Sequence, residues 1–166
     1  MPTARINQEL NAGIYFLTPT IRNWYYIFDR HDRWQIIADS LAYCQAAKGL
    51  KVFGYVFMLN HLHLMVGSKD VAGFVRDFKR HTSKKLHANL AANEPNILSL
   101  FLGDDGQYQF WKPDNQPKWV ESQGFFVQKM NYIHQNPVQK AYVEQPEHWK
   151  WSSANPNSPV NVTDIS

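Results

Sequence analysis

The chain has 166 residues, 44% of them hydrophobic and 19% charged, which suits one globular domain with a real core. No apolar run reaches the roughly 18 residues of a membrane span, and the start, MPTARINQEL, lacks the apolar segment of a signal peptide, so a soluble, cytoplasmic protein is expected. The net charge of +3 permits a nucleic-acid partner without requiring one, and the single cysteine, Cys44, excludes a disulfide framework and a Cys-rich zinc site.

Residues 1–11 are polar and read as a loose arm. Gly13–Thr18 (GIYFLT) reads as a strand that Pro19 ends. Asn23–Phe28 (NWYYIF) either extends it or forms a packed loop. Trp34, Ile37, Ala38, Leu41, Cys44 and Ala47 recur at helical spacing, and Gly49 supplies a stop, which predicts a helix over 31–48. Cys44 is then a small core residue.

Two apolar runs follow, Val52–Met58 and Leu62–Gly67, with a short polar break at Leu59-Asn60. This is a β-hairpin pattern. His61 and His63 open the second run. Strand side chains alternate, so both histidines take one face while Leu62 and Leu64 serve the core on the other. Neighbouring imidazoles repel when protonated and gain little when neutral, unless a divalent metal lies between them. The pair alone is a weak sign, since a histidine in a strand is more often simply packed or solvated. A metal site needs a third ligand from elsewhere.

A second helix starts at Ser68 or Asp70, with Val71, Phe74, Val75, Phe78 and Leu86 as its buried stripe. Its other positions carry Arg76, Lys79, Arg80, Lys84 and Lys85 with only Asp77 in balance, and this suggests a phosphate track. Residues 89–106 read as a loop, Gln107–Trp111 as a strand, and Lys118–Val120 as a short edge strand. The third helix runs from Ser122 to Asn136, where Pro137 is expected to end it. Phe126, Met130 and Ile133 form its core stripe, while Gln128, Tyr132 and Asn136 form a polar ridge. Val138–Ala154 carries Trp149 and Trp151 and packs back on the body. The domain is expected to span 1–154, with 155–166 (NPNSPVNVTDIS) as a flexible tail. Aromatics reach 14%; such rings fill cores and also stack on unpaired bases.

Three blocks stand in order: FMLNHLHLMV at 57–66, FWKP at 110–113 and NYIHQNPVQKAYVEQPEHWKWSSA at 131–154. Together they resemble the single-tyrosine HUH transposases of the insertion-sequence-200-like family, in the branch of the REP-associated tyrosine transposases. The resemblance implies an α+β fold, a small antiparallel sheet with packed helices of the ferredoxin-like or RNA-recognition-motif-like kind. The order read from the residues, strand, helix, hairpin, helix, strand, helix, agrees with it. The resemblance also implies cutting and rejoining of single-stranded DNA, often beside a hairpin, in a nucleoid-associated cytoplasmic setting. His61 and His63 match the two metal-binding histidines, Tyr132 the nucleophile, and Asn136 a third polar ligand. Two imidazoles by themselves favour zinc, nickel or iron; the resemblance implies Mg²⁺ or Mn²⁺. It leaves monomer and homodimer open. Leu59 departs from the usual proline of the hairpin turn, and Gln139-Lys140-Ala141-Tyr142 departs from a typical Arg-Ala-Gly-Leu. A catalytically silent hairpin-DNA binder is the alternative, and a small-molecule metalloenzyme is a third class.

Overall fold

The computed structural model describes residues 12–164, so the expected N-terminal arm lies outside the described residues. The first apolar run forms β1 (Gly13–Leu17), and the hairpin forms β2 (Lys51–Phe57) and β3 (Leu62–Ser68). β4 is the two-residue strand Lys118–Trp119. The sheet runs in the order β2-β3-β1-β4, and every pairing is antiparallel. β3 sits in the middle, with Val66 opposite Val52 on one side and opposite Tyr15 on the other. Residues 23–28 do not extend β1. They form a packed loop that begins with a 3-10 turn at Arg22–Trp24 and buries Ile27 and Phe28.

Between the strands lie α1 (Arg33–Lys48) and α2 (Val71–Asn93). Gly49 ends α1 at φ 68°, and its N–H donates to the Cys44 carbonyl, an arrangement that suits glycine best. Asp70 caps α2, its carboxylate accepting from the Gly73 N–H at 2.9 Å. Both helices bury their apolar stripes on one face of the sheet, against Leu17, Tyr55, Phe57, Leu62, Leu64 and Val66. Two strand-helix-strand units interleaved in this way make the ferredoxin-like arrangement.

The opposite face is also covered. α4 (Gln123–Gln139) lays Phe126, Met130 and Ile133 against Phe16, Phe53, Val56, Met58 and Met65. A bulge between Val52 and Gly54 turns both Phe53 and Gly54 toward this helix. Gly54 is the seat of Met130, because a Cβ there would collide with the Met130 sulfur. Alternate residues of β3 therefore enter two separate apolar clusters, and Leu62 through Val66 are all buried.

Several expectations are corrected. Residues 89–106 are not a loop: α2 continues to Asn93, α3 (Pro95–Leu98) follows, and a 3-10 turn closes at Phe101. Buried Leu90, Leu98 and Phe101 hold this stretch to the core. Gln107–Trp111 makes only isolated bridges, Leu102 with Tyr108 and Ile21 with Trp111, so it is no strand of the sheet. Pro137 does not end α4, which continues to Gln139. One absent N–H costs a single bond in the last turn, and Pro137 is itself buried.

The expected flexible tail also packs. Val160 is buried, its N–H donates to the Tyr55 hydroxyl at 3.2 Å, and the Thr163 N–H donates to the Val52 carbonyl at 2.7 Å. Together with Trp151 and Ser153, which bond the backbone of Phe57 and Tyr55, this segment covers the outer edge of β2. An open strand edge invites pairing with other chains, and here the protein's own C-terminal segment occupies it.

Candidate active site

The alternation of β3 does what the sequence predicts: Leu62 and Leu64 enter the α1/α2 core, and the two histidines lie together on the α4 side. Their ring centroids are 4.8 Å apart, set edge to face. His63 is buried, stacked on Phe16 at 5.5 Å and 15°. His61 is partly buried, held just before β3 by a bridge to Thr20.

Each ring is held through Nδ1. His61 Nδ1 lies 2.8 Å from Asn60 Oδ1, and His63 Nδ1 lies 3.0 Å from Thr18 Oγ1. The Asn60 amide is itself oriented, since its Nδ2 donates to the Trp24 carbonyl at 3.0 Å. Its oxygen must then accept from His61, which puts the ring proton on Nδ1 and leaves a lone pair on Nε2. Holding the far nitrogen of an imidazole in this way is how metal-ligating histidines are oriented. Burial, and then the charge of Lys140, push His61 down to about 4. Burial, then His61 and Lys129, push His63 down to about 3. Both rings are therefore neutral near neutral pH.

α4 brings the remaining groups. Tyr132 meets His63 edge to face at 5.1 Å and Phe16 at 6.0 Å, and it is 48% exposed. One turn on, Asn136 is buried, and its side-chain oxygen has no hydrogen-bond partner within the protein. A buried acceptor without a donor is costly. Here it lines the same cleft as the two imidazoles. The cleft, of about 340 Å³, is lined by Thr18, Thr20, His61, His63, Tyr132 and Asn136, with Trp24, Tyr26, Lys140 and Tyr142 among the others.

The described residues hold no cluster of three or more His, Cys, Asp or Glu side chains, so a metal here has to use a mixed set. That set is present: two neutral imidazoles with Nδ1 occupied, and an amide oxygen left unsatisfied. It fits a divalent cation.

The α2 cations are not gathered into one track. Arg76, Arg80 and Lys84 are exposed and share a ridge at four-residue spacing. Lys79 is drawn inward, its ammonium donating to the Lys112 carbonyl at 2.7 Å, and burial pushes it down to about 8. Lys85 is exposed but stands off the ridge, because helical residues advance about 100° each. Asp77 pairs with Lys48 and, at 3.4 Å, with Arg76. Moreover α2 packs on the sheet face opposite to His63 and Tyr132.

The cations nearest the cleft were not singled out by the sequence. Lys129 holds its ammonium 5.3 Å from the Tyr132 ring centre and 5.0 Å from that of Phe16. Burial and Lys118 lower its pKa. Lys140 lines the cleft itself. The available signal was helical spacing, with Lys129 three residues before Tyr132. Gln128 on the expected polar ridge is exposed and does not line the cleft.

Sheet order, paired histidines and a helix-borne tyrosine define the class: a ferredoxin-like α+β domain with a composite cleft at one end of the β2–β3 hairpin. No model of a known protein family matches the chain, and no curated protein matches it. Among solved structures, a REP-associated tyrosine transposase bound to a REP hairpin matches with a TM-score of 0.70 at 18% identity, over 100% of this chain and 96% of that one. The chain has the fold of that transposase.

The depressed histidines give a pH prediction for the metal-free protein. The folded value of His63, about 3, lies below its ordinary 6.5. Its contribution to stability is therefore whole above pH about 6.5 and is lost as pH falls toward the folded value, at up to about 1.4 kcal/mol per pH unit. Urea unfolding with EDTA between pH 7.5 and 4.5 should show a flatter decline for His63→Gln than for wild type. Parallel curves would contradict the buried neutral ring.

Proposed function

We propose that this chain cuts and rejoins single-stranded DNA through a covalent link between Tyr132 and the 5′ phosphate of the cut strand. The observation that carries the reading is the convergence, in one cleft, of two neutral imidazoles, an unsatisfied buried amide oxygen and an exposed tyrosine touching one of those imidazoles. The fold shared with a transposase bound to a DNA hairpin supports it.

In this reading His61 Nε2, His63 Nε2 and Asn136 Oδ1 hold Mg²⁺ or Mn²⁺. When bound, such an ion polarises a phosphate oxygen and offsets the charge that grows during transfer. The protein groups do the rest. Thr18 and Asn60 fix the two rings, so the donor set is organised before DNA arrives. Phe16 and His63 brace the Tyr132 ring, while 48% exposure leaves it open to the strand. The Lys129 ammonium, 5.3 Å from the centre of this ring, stands where it would meet the negative charge of the incoming strand. The Tyr132 hydroxyl gives up its proton as its oxygen joins phosphorus, the bond from phosphorus to the 3′ oxygen breaks, and that oxygen takes up a proton in turn. The link conserves the phosphodiester energy, so a free 3′ hydroxyl can rejoin the strand by the reverse step. Tyr132 contacts His63 of its own chain, which favours use of the tyrosine in cis.

The α2 ridge has a separate place in the proposal. Arg76, Arg80 and Lys84 would hold phosphates of DNA that extends past the cleft to the other face. Each phosphate neutralised on a single strand contributes about −0.7 to the slope of log affinity against log salt. A salt titration of hairpin DNA binding should give a slope shallower by about one unit for Arg80→Ala with Lys84→Ala. An unchanged slope would make the ridge merely solvated.

The chemistry is tested by incubating labelled hairpin single-stranded DNA with Mn²⁺ and resolving the products on a denaturing gel. Wild type should give a protein–DNA adduct and a free 3′ end. Tyr132→Phe should give neither while binding the DNA with nearly unchanged affinity. An adduct that persists in this variant would refute the nucleophile. A wild type that binds but never cuts would favour the silent binder.

A further inference from the structure

Three large aromatic side chains at the mouth of the cleft are left in water. Trp24 is 60% exposed, Tyr26 56% and Tyr142 40%, and all three line the cleft that holds His61 and Tyr132. Rings of this size are normally buried, and a cluster left open beside a polar site marks a contact surface.

The three are positioned by the backbone around them. Asn23 and Trp24 are successive non-glycine residues in the left-handed region, at φ 58° and 57°. Such a pair is strained and persists only where its surroundings impose it. The Trp24 carbonyl accepts from Asn60, whose side-chain oxygen in turn holds His61. The turn that presents the indole is thus tied to the imidazole by two hydrogen bonds. Ala141 is likewise left-handed, at φ 60°, directly before Tyr142. Tyr142 rests on Trp149 with ring centres 5.6 Å apart and 26° between planes.

Cations stand beside the rings. Lys112 places its ammonium 4.1 Å from the Trp24 ring centre, covering one face of the indole. Lys140 lines the cleft two residues before Tyr142. No acidic side chain lines the cleft among the described residues. Flat aromatic faces next to cations, without carboxylates, suit a ligand that alternates flat rings with negative charges. An unpaired nucleotide strand has that chemistry; an apolar peptide does not.

We propose that Trp24, Tyr26 and Tyr142 form a stacking subsite for unpaired bases at the mouth of the cleft, with Lys112 and Lys140 on the adjoining phosphates. This rests on the single-stranded DNA reading above and adds how the strand is gripped. Stacking tolerates any base, because every base has a flat face. The subsite therefore selects unpaired over paired DNA rather than one sequence over another. Lys140 and Tyr142 both lie in the segment that departs from the Arg-Ala-Gly-Leu pattern, so the subsite belongs to this chain's own residues.

The test is fluorescence anisotropy in EDTA, where no chemistry occurs, with two labelled probes. One is a single strand of ten thymidines; the other is the same backbone with every base removed. Wild type should prefer the strand that carries bases. Trp24→Ala should weaken that strand about tenfold and leave the abasic backbone unchanged. Trp24→Phe, which keeps a ring, should stay near wild type, and Tyr142→Leu should repeat the loss of Trp24→Ala. Lys112→Ala should weaken both probes alike. A wild type that does not distinguish the probes, or ring deletions that weaken both equally or neither, would overturn the subsite. The cleavage gel is independent: an absent adduct with a normal Trp24 effect refutes the chemistry alone, and the reverse refutes the subsite alone.

Discussion

The site depends on where β3 runs. Helices cover both faces of the sheet, so a strand in its middle has no wet side, and Leu62 through Val66 are all buried. An imidazole on such a strand cannot keep a charge without paying for desolvation. His63 answers by staying neutral, stacked on Phe16 and bonded to Thr18. The same burial that disfavours charge on His63 keeps its ring neutral, as the cation proposed above would require, and His61 follows by the same logic one step nearer the surface.

α4 converts that strand end into a chemical site. Its apolar stripe docks on Gly54 and the bulge beside it, which fixes the rotation of the helix. With that rotation set, Tyr132 meets His63, and Asn136 carries an unpartnered oxygen into the cleft. The Asn60 side chain ties this inner set to the outer rim by bonding both His61 and the Trp24 carbonyl. His61 and the turn that presents Trp24 are thus joined through one side chain.

Strong periodic signals were legible in the sequence. The hairpin, both amphipathic helices before and after it, the shared face of His61 and His63, and the core stripe of the third helix all follow from spacings of two and of three to four residues. What was missed depended on tertiary contact. Arg33 falls at the start of the predicted first helix with nothing to mark it as a core residue, yet it is fully buried, its guanidinium 2.7 Å from Glu94 and 2.9 Å from Asn89. Those partners lie in the stretch around 89–106, which lacks periodicity because long-range packing holds it. Val160 hides in a polar tail, where one apolar side chain and a few backbone bonds to the β2 edge suffice to hold it. The α2 cations show what composition leaves open. A run of charges on one helix is a property of composition, and only the position of the helix shows that it faces away from the cleft.

His61, His63 and Asn136 are proposed to hold a divalent cation beside Tyr132. Anomalous diffraction from crystals soaked in Mn²⁺ tests it most directly. A peak bounded by His61 Nε2, His63 Nε2 and Asn136 Oδ1 is expected, and its loss in crystals of Asn136→Ala. A saturating soak that leaves this position empty, or a peak held only by other residues, would contradict it.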